Sequence, residues 1–438
     1  MARGTQFRST TGREPLQAAG PGTGKVKPKA VELAETYRSL IQAPPPEVER
    51  AWEQCQAIPG QALTGLVGLA YSHPVALALA FLRVLECGGS PVVMPTAEEA
   101  RQYRLTVTLD EQGWHSGHAA EEAGLEPRPG DFFAFSSGST GQRKPLRFHH
   151  QRALGNAKAH ASSLGITEQH SISQTLRLHH PFGVIAYIYT PLAVGARVEL
   201  GVYFDGLFPV KEELSHTVVH LTPYHLQLLM RRRVESRFKV GKLSLGAGPV
   251  RRQEALYALG LAQELYTTYG LSEAGPRVSC GRVEAATFVD GWIGHFLEGI
   301  QTRLDENGCL WLKTPYHAEN LEDFFNTGDR IERLPDGSAV FKNRIHDVLR
   351  VRGQTYPRRL YQERLQALLG LPCEVAQKAY SDELIVFIET DREQPALLPT
   401  IDRNLPEFRG AKVIWRESFR RTALGKTDLR AMLEEVTS

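Results

Sequence analysis

Cysteine is scarce in this chain, and its placement is as telling as its number. The 438 residues hold five, Cys55, Cys87, Cys280, Cys309 and Cys373, scattered, odd in number and without a Cys-x-x-Cys pair. That excludes a disulfide framework and offers no structural zinc site, and it fits a reducing, cytoplasmic setting. An excess of one charge is also lacking. Lys and Arg number 51 against 49 Asp and Glu, leaving +2, so the chain as a whole has no pull toward nucleic acid or a membrane surface. No apolar run reaches transmembrane length; the longest, around Val75–Val84, is broken by Arg83 and reads as a buried helix. The N-terminus has no apolar core of signal-peptide length. Small basic clusters remain at Arg231–Arg233, Arg358–Arg359 and Arg420–Arg421. They read as solvated faces, or as docking points for a phosphate-rich or acidic partner.

What is present is an α/β texture behind a polar arm. Residues 1–28 are rich in Gly, Pro, Thr and basic side chains and are expected to be disordered. The arm contains Gly20-Pro-Gly-Thr-Gly-Lys25, but Ala19 and Val26 stand where a Walker loop needs Gly and Ser or Thr, and no strand precedes it. A P-loop NTPase is therefore disfavoured. Leu63–Ala70 reads as a buried strand, Pro74–Leu85 as a helix and Val92–Met94 as a second strand, a unit that favours a parallel sheet. Ala196–Leu200, Thr217–Leu221, Lys242–Leu245 and Glu264–Thr267 repeat the strand pattern, and Thr222-Pro223 opens a helix through Met230. After about residue 290, the turns Asp305–Gly308 and Pro335–Gly337 signal hairpins. A helix over Leu360–Leu369, a strand pair around Ser381-Asp382 and a last helix close the chain.

The chemistry-bearing segment is Ser136-Ser-Gly-Ser-Thr-Gly-Gln-Arg-Lys144, directly after the apolar run Asp131–Phe135. Gly138 and Gly141 let backbone N–H groups turn inward without a Cβ in the way. Ser136, Ser137, Ser139 and Thr140 add hydroxyl donors, and Lys144 a full positive charge. Those groups suit a polyphosphate. Taken alone, the same composition also makes a flexible Gly/Ser surface loop.

Five further motifs follow in order: Gly246-Ala-Gly-Pro249, Tyr269-Gly-Leu-Ser-Glu273, Asn326-Thr-Gly-Asp329, Arg344-Ile-His-Asp347 with Gly353, and Thr422-Ala-Leu-Gly-Lys426. Together with the first loop they resemble the adenylate-forming superfamily of acyl- and aryl-CoA ligases, luciferases and peptide-synthetase adenylation domains, over about residues 60 to 432. The resemblance implies an α/β architecture: a large N-terminal core over 29–346, of mixed sheets flanked by helices plus a β-rich subdomain, and a small mobile α+β lid over 347–438.

It also implies roles. ATP lies against Ser136, Ser137, Gly138, Ser139, Thr140 and Gly141, against the turn Gly246, Ala247 and Gly248, and against Tyr269 and Gly270. Tyr269 stacks on adenine, Asp329 accepts from the ribose hydroxyls and Arg344 binds the ribose. Lys144 and Lys426 offset charge during adenylation, Ser272 donates to a carboxylate or α-phosphate oxygen, and His180 sits by the acyl carboxylate. Glu273 is a hard oxygen ligand suited to Mg²⁺. Asp347 is the hinge about which the lid presents Lys426 for one half-reaction and the 348–353 loop for the other. The implied reaction activates a carboxylic acid as an acyl-adenylate and transfers it to a thiol of coenzyme A or of a carrier-protein phosphopantetheine.

Departures from the family pattern refine this. Gly183 stands where amino-acid-activating relatives place an aspartate for the substrate ammonium, so the acid is expected to lack an α-ammonium group. Ala247 replaces a common glycine, and Arg359, Tyr361 and Arg420 alter the lid surface. The stretch 95–131 looks compressed. The acid pocket is expected to be walled by 180–187, 224–228 and 246–271, a mix suited to an aryl or medium acyl group. Alternatives are a ligase that loads an acyl carrier protein, and a nucleotide-binding homologue without catalysis, against which the intact Lys144, Glu273, Asp329 and Lys426 argue.

Overall fold

The computed structural model describes residues 33–42, 44–94, 105–110, 113–116, 125–135, 145–176, 178–199, 214–232, 239–318, 323–344, 348–351, 354–377, 383–422 and 427–437. The arm at 1–28, the 136–144 loop, Asp347, Gly353 and Lys426 lie outside them.

Apolar strands buried on both faces build the first sheet. Its strands are β1 (Leu66–Leu69), β2 (Ser90–Val93), β3 (Val107–Asp110), β4 (Gly113–Ser116), β5 (Asp131–Phe135) and β6 (Pro145–His149), in the order β4-β3-β1-β2-β5-β6. The inner four are parallel, and β4 and β6 close the edges antiparallel. Every residue of β1 and β5 is buried, as parallel strands covered on both faces must be. The strand expected over Leu63–Ala70 is shorter than its apolar run because Gly60–Leu63 winds into a 3-10 turn first. The compressed stretch still contributes two strands, β3 and β4.

The second sheet has eleven strands: β7 (Ser171–Ser173), β8 (Arg197–Glu199), β9 (Thr217–Leu221), β10 (Val240–Leu245), β11 (Ala262–Tyr269), β12 (Ser279–Arg282), β13 (Trp292–Phe296), β14 (Gln301–Leu304), β15 (Cys309–Lys313), β16 (Phe325–Arg333) and β17 (Ala339–Arg344). From β8 to β11 the pairing is parallel; at β12 it turns antiparallel and stays so through the hairpins. The β-rich part is thus continuous with the parallel half, joined where β13 pairs β17.

Helices cover these sheets. Helix α1 (Pro74–Glu86) is buried nearly all round, and its sequence is apolar but for Arg83 and Glu86 in the last turn. Helix α2 (His150–Leu164) buries Asn156 and His160. A short helix α3 (Pro181–Val184) runs through a π-turn at Ile185–Tyr189, an irregularity found mostly at functional sites. Helix α4 (Pro223–Arg231) starts on a capping box at Thr222 with Pro223 at its first position, as the sequence predicts. Helix α5 (Arg252–Leu261) links β10 and β11.

The C-terminal segment holds a hairpin, β18 (Val348–Val351) with β19 (Gln354–Pro357), and a three-stranded sheet of β20 (Cys373–Gln377), β21 (Leu384–Glu389) and β22 (Lys412–Arg416). Helix α6 (Arg358–Leu369) and helix α7 (Leu429–Thr437) complete it. Its apolar side chains, among them Tyr361, Val375, Val386 and Phe408, form clusters of their own. Among the described residues no helix is long and apolar enough to cross a membrane.

Candidate active site

Ligands in open α/β sheets dock beyond the carboxyl ends of the parallel strands, and those sequence-predicted residues that the structure describes collect there. Tyr269 is the last residue of β11. The loop after it folds back on itself: Val278 N–H donates to the Tyr269 carbonyl (2.9 Å), and Ser272–Ala274 winds a 3-10 turn inside it. Gly270 is obligatory, since an added Cβ would fall 1.6 Å from the Pro276 carbonyl oxygen.

Strand register builds the first cluster. Asp329 on β16 lies directly opposite Arg344 on β17. Arg344 Nε and Nη2 donate to the two carboxylate oxygens at 2.6 and 3.1 Å, and the Tyr269 hydroxyl donates to Oδ2 at 2.8 Å. The Asp329 N–H donates to Thr327 Oγ1 (3.0 Å), fixing the turn. Burial, reinforced by the Asp329 carboxylate, holds the Tyr269 phenol well above its usual range. The hydrogen bonds to Asp329 raise the Arg344 guanidinium in turn. Asp329 is fully buried, whereas the Arg344 side chain is 46% exposed.

The second cluster is Ser272 with His180. His180 caps α3, its Nδ1 accepting from the Phe182 N–H at 3.2 Å. A neutral ring so held carries its proton on Nε2, which faces Ser272 Oγ at 3.4 Å. Glu273, next in the turn, is half-buried, and its charge adds to the rise at Arg344. Gly246–Gly248 follows β10, and a Cβ at Gly246 would meet Thr268 Cγ2 at 2.6 Å and the Phe182 ring at 3.2 Å. Ala247 has φ +65°, the one non-glycine among the described residues with positive φ. A common glycine at that position thus has a backbone reason.

The structure brings Tyr269, Gly270, Ser272, Glu273, Asp329, Arg344 and His180 into two linked clusters, with Gly246 against Phe182, Gly248 against Pro223 and Ala247 between them in the turn. Ser136, Ser137, Gly138, Ser139, Thr140, Gly141, Lys144 and Lys426 lie outside the described residues. Of the expected pocket walls, 180–187 and 246–271 meet through Phe182 and Gly246. Tyr224 and Leu228 instead line a cleft of about 530 Å³ with Arg231, Glu389, Phe419 and Arg421. The basic clusters are engaged within the chain: Arg231 and Arg421 each reach Glu389 at 3.4 Å, Arg358 reaches Glu374 (3.3 Å), Arg359 reaches Glu363 (3.0 Å) and Arg420 reaches Glu435 (3.0 Å).

Sequence reasoning missed a third group, Arg277, His160 and His220, all buried. The signal available was a lone arginine, Pro276-Arg-Val278, entering a buried strand. Nothing local marks the two histidines.

A sequence profile of AMP-binding enzymes matches residues 93–311. The 4-coumarate–CoA ligase-like protein 8 of Arabidopsis thaliana is 23% identical over 254 residues, covering 51% of this chain and 46% of that protein. The chain spans about half the length or less of the curated relatives it matches. ATP-bound MatB from Rhodopseudomonas palustris superposes with a TM-score of 0.69 at 16% identity, covering 92% of this chain and 98% of that one. The o-succinylbenzoate coenzyme A synthetase MenE from Bacillus subtilis, solved with ATP and magnesium ion, gives 0.68 at 16% identity, covering 89% and 93%. At such identity the likenesses establish a common fold, with large sheets flanked by helices. The profile covers half of the chain and takes in the Tyr269–Glu273 turn and the strands on either side of it; this chain belongs to the AMP-binding enzyme family.

Proposed function

We propose that this chain activates a carboxylic acid with ATP and passes the acyl group to a phosphopantetheine thiol. A carboxylate oxygen attacks the α-phosphorus, pyrophosphate leaves and an acyl-adenylate forms. A thiolate then attacks the acyl carbonyl and AMP leaves, giving a thioester. The observation that carries this reading is the Tyr269–Asp329–Arg344 cluster: an aromatic ring pinned through its hydroxyl to a buried carboxylate, beside a half-exposed guanidinium, at the carboxyl edge of the sheet.

In this reading adenine stacks on Tyr269. Asp329 already accepts from Tyr269 and Arg344, so a ribose diol reaches it as the half-exposed Arg344 side chain swings toward the sugar. The Nε2–H of His180 holds Ser272 Oγ, leaving its hydroxyl proton free to point at a carboxylate or α-phosphate oxygen. Lys144 and Lys426 supply the positive charge that the transition state needs. For magnesium, the described residues hold no cluster of three ligating side chains. The single carboxylate of Glu273 fits an ion that keeps its waters and binds mainly phosphate oxygens. Such an ion withdraws charge from the phosphates when bound.

Gly183 supports an acid without an α-ammonium group. The thiol belongs to coenzyme A or to an acyl carrier protein. Residues 347–438 act as the lid, turning about Asp347 between the two half-reactions. Two variants test this. Lys426→Ala is expected to abolish ATP–pyrophosphate exchange while sparing thioester formation from supplied acyl-adenylate, and Asp347→Pro to do the reverse. If both variants keep both half-reactions, the alternation is wrong.

A further inference from the structure

A buried guanidinium packs on Phe182, next to the reacting end of the site, with two of its nitrogens unpartnered among the described residues. Arg277 is 2% exposed, and its Nε and Nη2 have no hydrogen-bond partner among the described residues. The backbone there is fixed: the Arg277 N–H donates to Asn156 Oδ1 (3.0 Å) and its carbonyl accepts from Asn156 Nδ2 (2.8 Å). Its guanidinium carbon sits 3.3 Å from the centre of the Phe182 ring. His160 and His220, both fully buried with rings 6.0 Å apart, leave all four ring nitrogens without a partner among the described residues. The His220 ring is 6.1 Å from Phe182.

The charges are unbalanced. Burial lowers the Arg277 guanidinium to about 9, which still leaves it cationic at neutral pH. Among the described residues the groups acting on it are Cys280 and Tyr187, both held protonated by burial, and no carboxylate is among them. Burial, with the Arg277 charge added, holds both imidazoles well below their usual value and therefore neutral. Each ring then offers one donor and one acceptor. A buried cation with open donors is far costlier than a neutral group unless an anion meets it, and water supplies no opposite charge.

Phe182 ties this group to the reacting centre. Its N–H donates to His180 Nδ1 while its ring packs on Arg277. Ser272 and Arg277 belong to one tight loop.

We infer that the acid taken by this site carries a second anionic group, a carboxylate, which docks on Arg277 beside His160 and His220 while the reacting carboxylate lies at Ser272 and His180. The inference rests on the acid-activating reading above and names its substrate class. The same cation repels an ammonium group, in line with Gly183.

ATP–pyrophosphate exchange with the wild-type chain on matched acids tests it: benzoate against isophthalate and terephthalate, and straight-chain monoacids against α,ω-diacids of equal length. In at least one pair the diacid is expected to exceed its monoacid twin by about tenfold or more in kcat/KM, and Arg277→Met to cut that ratio by about tenfold or more. Monoacids exchanging as well as their twins in every pair overturn the inference while acid activation stands. Exchange with no acid at all sinks the acid-activating reading and the inference with it. The wild-type pairs decide the question even if Arg277→Met fails to fold.

Discussion

Two buried polar clusters flank the loop between β11 and β12, and they are opposites. At Tyr269–Asp329–Arg344 the carboxylate accepts from three donors, and strand register alone puts two of those donors in place. At Arg277–His160–His220 the guanidinium has two nitrogens, and each imidazole both of its nitrogens, without a partner among the described residues. A saturated network is cheap to bury and rigid before any ligand arrives. An unsaturated one opposes folding, and an occupant offsets that cost. Under the function proposed above, the first cluster is a preformed frame for a nucleotide and the second a socket for the acid.

Stability separates the two most sharply. Asp329→Ala strands the Tyr269 hydroxyl and Arg344, and is expected to cost about 3 kcal/mol in chemical denaturation. Arg277→Met in the ligand-free protein should go the other way, gaining about 1 kcal/mol as an unpaired buried charge disappears. Losses of equal size for both would erase the distinction between frame and socket.

The histidines give a pH-dependent effect with a definite sign. The unfolded chain takes up protons near pH 6.5, whereas buried His160 and His220 stay neutral well below it. Their contribution is present above pH 6.5 and is lost as the pH falls, by about 1.4 kcal/mol per histidine for each pH unit. Melting curves between pH 7.5 and 5.5 measure the slope, and His220→Leu should flatten it. An unchanged slope would mean that His220 has a partner and belongs with the saturated kind.

Ala247→Gly, which relieves a left-handed alanine next to Gly246, should gain about 1 kcal/mol in denaturation, no more than Arg277→Met. A loss there would show that the Ala247 methyl packs against the frame rather than straining it.

Local rules made much of the fold legible. Helix α1 announced itself by an apolar run, interrupted only by Arg83 and Glu86, between a proline and a glycine pair, and helix α4 by Thr222-Pro223. The hairpins followed from Asp305–Gly308 and Pro335–Gly337. The motif residues at 180, 246–248, 269–273, 329 and 344 do converge on one edge of the sheet. The break at Gly60–Leu63 was less visible, because an apolar run does not say where a strand begins.

The sequence by itself determined which residues could hold phosphate, carry charge or turn tightly, since those are properties of side chains and of a few neighbours along the chain. Only the tertiary structure decided who faces whom. It set Asp329 against Arg344 through the register of two strands and left Arg277 facing Phe182 with no carboxylate acting on it among the described residues. Whether a buried polar atom is satisfied depends on groups far away in sequence: Asn156 and His160 come from α2, His220 from β9 and Arg277 from the loop before β12. No local pattern encodes that meeting, and it is the part of the structure that speaks to the choice of acid.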